Sequence, residues 1–150
     1  MFMSRKYSLS IFLLVILFGV RTFVFAQADP IEHEWYNEAK SGKIKIYKAK
    51  DGRFYGRICW LREPNRDGKP KMDYNNPDEA RRNDPEMGLL ILKGFKKDGD
   101  GEYTDGTIYD PKNGKTYSCK ITRHGDQLHV RGYIGFSLIG RTENWTRGDQ

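Results

Sequence analysis

The stretch EYTDGTIYDPKNGKTYSCKITRHGDQLHVRGYI, residues 102–134, holds three short runs of β-branched and aromatic residues divided by two turn signals. Glu102 to Tyr109 and Lys115 to Thr122 flank Asp110-Pro111-Lys112-Asn113-Gly114, and Gly125-Asp126 leads into Leu128 to Ile134. Glycine in such turns supplies the positive φ that a tight hairpin needs. The passage predicts three strands in succession, each antiparallel to the one before.

The same rhythm runs outward in both directions. Lys43-Ile44-Lys45-Ile46-Tyr47-Lys48 alternates polar and apolar side chains, as a half-buried strand must, and Asp51-Gly52 turns it into a return strand from Arg53 to Leu61. Gly88 to Phe95 reads as another strand, and Asp98-Gly99-Asp100-Gly101 connects it to the opening passage. A strand around Trp35 and one from Arg141 to Thr146 bring the count to about eight, with turn signals every eight to twelve residues and no long helical periodicity. Successive hairpins make an all-β, antiparallel up-and-down meander. About eight such strands close most economically into a small barrel without exposed edges. One connection breaks the rhythm: residues 62–86 carry Pro64, Pro70, Pro77 and Pro85 among asparagines and charges, with one helical turn expected around Asp78 to Arg82. Connections this long in compact domains tend to be functional or mobile.

Residues 1–26 have a different character. Arg5 and Lys6 precede an apolar run from Leu9 to Phe18, and small residues at Ala26 and Ala28 follow, the order of a cleavable signal peptide with cleavage after Ala26 or Ala28. A membrane anchor would need about 20 apolar residues, and Gly19 and Arg21 interrupt this run. The expected organisation is therefore an export signal followed by a single β-domain over residues 29–150, in a periplasmic or secreted protein without a transmembrane span. Loss of Arg5, Lys6 and Arg21 takes 26 basic residues to 23 against 20 acidic, and the net charge from +6 to +3. So small a charge, with both signs interspersed, gives no footprint for nucleic acid. An oxidising compartment permits a disulfide between Cys59 and Cys119, the only cysteines; two buried thiols are the alternative.

No catalytic or metal motif stands out. Asp98-Gly-Asp100-Gly-Glu102 resembles the start of a calcium loop, but Tyr103 and Tyr109 occupy the positions that an EF-hand gives to glycine and to the closing glutamate. Turn chemistry explains these residues without a metal. His33, His124 and His129 lack zinc-ligand spacing, no nucleophile sits in a triad setting, and nothing singles out a carboxylate pair or a cofactor.

Aromatics that alternate with polar neighbours either fill a barrel of this size or line a pocket in it. Tyr47, Tyr55, Trp60, Tyr109, Tyr133 and Phe136 are the residues expected to line one. Between Arg131 and Arg141, three glycines among large apolar side chains imply a sharp bend. Phe136, Leu138 and Ile139 then lie near a rim, where they either cap the core or form an exposed patch.

Taken together, Phe54-Tyr-Gly-Arg-Ile58, Trp60-Leu-Arg-Glu-Pro-Asn65, Gly88-Leu-Leu-Ile-Leu92, Asp105-Gly-Thr-Ile-Tyr-Asp-Pro111 and Arg131-Gly-Tyr-Ile-Gly-Phe136 resemble an exported bacterial domain of unknown function, family 2147. The resemblance covers about Ile31 to Arg147 and implies an exported single-domain β-protein without naming a ligand. Many relatives carry a C-x-x-C in the long loop; none stands between Arg62 and Glu86 here, so no redox role carries over. A looser similarity is to lipocalin-like barrels, in which an early tryptophan is covered by a late arginine. It implies that Trp35 and Arg141, or Arg147, close one end, although His33 stands where that pattern has glycine. The leading expectation is an envelope binding protein for a small apolar or amphipathic ligand. A docking module for another envelope protein and a carboxylate-dependent hydrolase are the alternatives.

Overall fold

In the computed structural model, residues 27–136 and 139–148 are described, so the expected signal at 1–26 lies outside them. Ten strands follow in order: β1 (Glu34–Tyr36), β2 (Gly42–Lys48), β3 (Phe54–Leu61), β4 (Asn65–Arg66), β5 (Lys69–Pro70), β6 (Leu90–Lys97), β7 (Glu102–Asp110), β8 (Lys115–His124), β9 (Gln127–Tyr133) and β10 (Gly140–Arg147). Eight of them form a closed antiparallel barrel in the order β1-β10-β9-β8-β7-β6-β3-β2, and β4 and β5 make a separate hairpin in the long connection. The short β1 closes the ring by pairing with both β2 and β10. Among the described residues no helix is long and apolar enough to cross a membrane.

Alternation decides what faces in. In β2, Gly42, Ile44 and Ile46 are buried, which turns Lys45 and Tyr47 outward. In β3, Phe54, Gly56 and Ile58 are buried, and a bulge then interrupts the ladder, since Ile44 pairs with Ile58 but Lys43 pairs with Trp60. The extra residue, Cys59, reverses the parity of the strand beyond it, leaving Trp60 outside and packing Leu61 against the core. Gly106 of β7 is required by packing. A Cβ there would strike the ring of Phe95, which pairs across the sheet with Phe54.

The two ends of the barrel differ. At one end lie the tight turns after β2, β6 and β8 together with residues 28–33. Here Trp35, Phe54, Phe95, Tyr103, Ile121 and Leu128 are almost fully buried, and Ile31 plugs the opening while its carbonyl accepts from the Trp35 indole at 2.9 Å. Phe54 and Tyr103 pack edge to face with centroids 5.2 Å apart. Truncating such rings to alanine costs about 3–5 kcal/mol each. At the other end lie the β1–β2, β7–β8 and β9–β10 connections and the long segment 62–89.

Two expectations require correction. Arg141 does not cover Trp35: β10 runs the length of the barrel, so Arg141 pairs with Gly132 at the open end, whereas Arg147 pairs with Trp35 at the plugged end. Arg147 there lies 2.8 Å from Nε2 of His33 and 3.3 Å from Asp126. Nor are the cysteines joined; both are free thiols. They stand on β3 and β8, three strand steps of about 4.8 Å apart around the wall, too far for the Cα separation of about 7 Å that a disulfide tolerates. Cys119 is buried among apolar groups, which pushes its thiol up to about 12.

Candidate functional site

The unfilled half of the barrel is a cavity of about 820 Å³, open at the end opposite the plug. That falls within the 300–1,000 Å³ typical of small-molecule pockets. Its floor and walls are apolar, built from Ile44, Ile58, Leu61, Ile91, Ile108, Val130 and Trp145. Ile44, Ile58, Val130 and Trp145 reach the interior through their strands' alternation, and Leu61, Ile91 and Ile108 through register shifts in β3, β6 and β7. Where the aromatic residues of the plugged half give way to mostly shorter aliphatic side chains around Trp145, the barrel is left hollow.

The expected pocket residues divide sharply. Tyr109 and Tyr133 border the cavity. Tyr47 and Tyr55 do not, because the inward isoleucines of β2 force them outside, where they stack on each other at 6.1 Å while Tyr55 donates to Asp51. Trp60 lies outside through the bulge and packs edge to face on Tyr36 at 5.7 Å. Phe136 is 82% exposed at the tip of the β9–β10 turn, beside Ile134 at 67% and Ile139 at 73%. These three form an apolar patch; Leu138 lies outside the described residues. Ile134 and Ile139 also border the cavity, so the patch is continuous with its mouth.

The lining also includes residues that carry weaker signals in the sequence: Tyr117, Glu38, Glu86, Glu143 and Arg141. Arg141 is shared by two carboxylates, lying 3.9 Å from Glu38 and 3.6 Å from Glu143. Glu143 also accepts from the Trp145 indole at 3.1 Å, and Glu38 accepts from the Asn144 amide at 3.4 Å. Asp110 accepts from the backbone of Lys112. Burial raises the pKa of Glu86 above the ordinary glutamate value, partly countered by the positive charges of Lys71 and Arg66.

The long connection is anchored beside this mouth. Its two arms pair through Met72 and Pro85, a 3-10 turn covers Glu79–Arg81 with Asp78 as its cap, and Asp73 is wholly buried. Tyr109 donates to Asp73 at 2.7 Å and Asn76 donates to the same carboxylate at 2.7 Å. Asn75 donates to the carbonyls of Pro111 and Lys112, tying the segment to the β7–β8 corner. Gly114 is needed at that corner because a Cβ would overlap the carbonyl oxygen of Asn75.

A closed eight-stranded barrel with one open end has relatives among known proteins. Residues 33–147 match the sequence profile of a bacterial family described as an uncharacterized protein conserved in bacteria, DUF2147. The chain belongs to the DUF2147 family. Among solved structures, this DUF2147 protein is similar to one described as "Protein HP1028 from the human pathogen Helicobacter pylori belongs to the lipocalin family". The two share 22% identity with a TM-score of 0.72, over 81% of this chain and 85% of the other. The likeness establishes a lipocalin-like fold for the DUF2147 chain. No curated protein matches it.

Proposed function

We propose that this DUF2147 protein is an exported, non-enzymatic binding protein of the cell envelope that holds one small apolar or amphipathic molecule in its half-filled barrel. The observation that carries the reading is the cavity of about 820 Å³, walled largely by aliphatic side chains and open at the end opposite the plug. A barrel whose purpose is structural has no need of it, since eight strands leave an interior that side chains can fill. The signal-like residues 1–26 support export. An amphipathic ligand would lay its apolar part on Ile44, Ile108 and Val130 and leave its polar part among the charged residues of the mouth.

The hydrolase alternative asks for two carboxylates within about 10 Å in a cleft. Glu38 and Glu143 satisfy the distance, since both lie within 4 Å of one Arg141 nitrogen. They are, however, held to each other by that shared guanidinium and to the wall by Asn144 and Trp145, an arrangement that supports a structured rim better than proton transfer. The exposed Ile134, Phe136 and Ile139 favour a contact surface beside the cavity, compatible with ligand exchange at a membrane or a partner.

Native mass spectrometry of the protein purified gently from its own cells tests the proposal. A reproducible extra mass, released on denaturation, is the expected result and identifies the ligand. A bare mass that stays unchanged after incubation with envelope lipids and extracts overturns it.

A further inference from the structure

We infer that the molecule held in this barrel is a cationic amphiphile, an apolar chain or ring system bearing an amine or quaternary ammonium at the mouth. The inference rests on the cavity being a ligand site and adds the sign of the ligand's polar end. Four carboxylates border the cavity, from Glu38, Glu86, Asp110 and Glu143, against two cations, Lys112 and Arg141. This acidic excess occurs in a chain whose net charge is +6. Glu38 and Glu143 already share Arg141, which leaves one negative charge in excess for that trio.

Glu86 is the decisive residue. It is half-buried on the cavity wall, and its carboxylate makes no hydrogen bond or ion pair among the described residues. Lys71 and Arg66 act on it electrostatically from outside the lining, Lys112 acts on it from within the lining and Asp73 opposes them, while Lys71 also faces Glu63 at 3.8 Å. A ligand entering the barrel takes solvent access away from Glu86. Removing solvent from a carboxylate without replacing its donors is costly, whereas an ammonium replaces both donor and charge. Tyr117 and Tyr133 border the same space, and aromatic faces attract cations. An anionic headgroup would be opposed by this excess, with Lys112 and the already shared Arg141 as its cationic partners in the lining.

The test is a series of ten-carbon amphiphiles that differ only in headgroup: decyltrimethylammonium, decyl maltoside and decanoate. Each is titrated below its micellar concentration into the delipidated full chain and followed by calorimetry. Decyltrimethylammonium should bind at least about tenfold more tightly than decanoate, the scale of one charge-assisted contact. Glu86→Gln should remove most of that preference, and its retained binding of decyl maltoside reports that the barrel is intact. In the unaltered protein, added salt should weaken the ammonium ligand more than the maltoside. If decanoate or the maltoside binds as tightly as the ammonium, the cationic assignment is overturned and the cavity reading stands. If none of the three binds, the cavity reading itself falls.

Discussion

Asp29 shows how one carboxylate fixes the plugged end. Burial alone would raise its pKa, but hydrogen bonds from Lys97, at 2.7 Å, and from the Tyr103 hydroxyl outweigh that and hold it below the ordinary 3.8. A carboxylate whose folded pKa is depressed stabilises the fold above its unfolded pKa and loses that contribution as pH falls through the folded value. Asp29→Asn should therefore lower stability by about 1–3 kcal/mol near neutral pH, the scale of a lost charge-assisted hydrogen bond, and by progressively less below pH 3.8. Urea unfolding of both proteins at pH 7 and pH 3 measures this. An equal deficit at both values would mean that Asp29 acts through packing and not through its charge. Tyr103 carries the complementary shift: burial, then its bond to Asp29, raises its pKa, so the hydroxyl stays a donor through the physiological range.

At the scale of elements, the connection between β3 and β6 behaves as a docked piece of the wall. Its hold on the barrel runs through Asn75 at the β7–β8 corner and through Tyr109, whose hydroxyl donates to a carboxylate with no exposure to solvent. Tyr109→Phe removes a donor from buried Asp73 and leaves it with Asn76, a change worth about 1–3 kcal/mol. The loss should be local. Amides of Lys71, Asp73 and Glu86, which tie the segment together, should exchange with deuterium faster, while those of β8 and β9 keep their protection. Uniformly faster exchange would instead mean that the segment and the barrel unfold as one unit. Burial, followed by the bond to Asp73, raises the Tyr109 pKa. Its contribution is accordingly complete below pH 10 and is lost only as alkali ionises the folded phenol.

Across the whole molecule, strand number, order and turns were legible because each depends on local chemistry: glycine and Asp-Gly at turns, and β-branched residues between them. The inner face was legible wherever one set of positions was plainly apolar. Ile44 and Ile46 already exclude Tyr47 from the lumen, a signal that the aromatic content of the strand obscured. Trp60 was not legible, because strict alternation from Ile58 places it inside and only the bulge at Cys59, a tertiary feature, reverses it. The division into a filled half and a hollow half was equally hidden, since it depends on which rings meet across the lumen. That division yields the last expectation. Phe95 in the filled half is packed against Phe54 and Gly106, so Phe95→Ala should cost about 3–5 kcal/mol. Ile108 packs against the core on one side and borders the cavity on the other, so Ile108→Phe should cost less than about 1.5 kcal/mol, because the added volume can extend into the open space. The same substitution should weaken binding of any captured ligand by occupying its volume. If Ile108→Phe destabilises the protein as severely as Phe95→Ala, the open half collapses in solution, and the barrel is a packed core with no room for a guest.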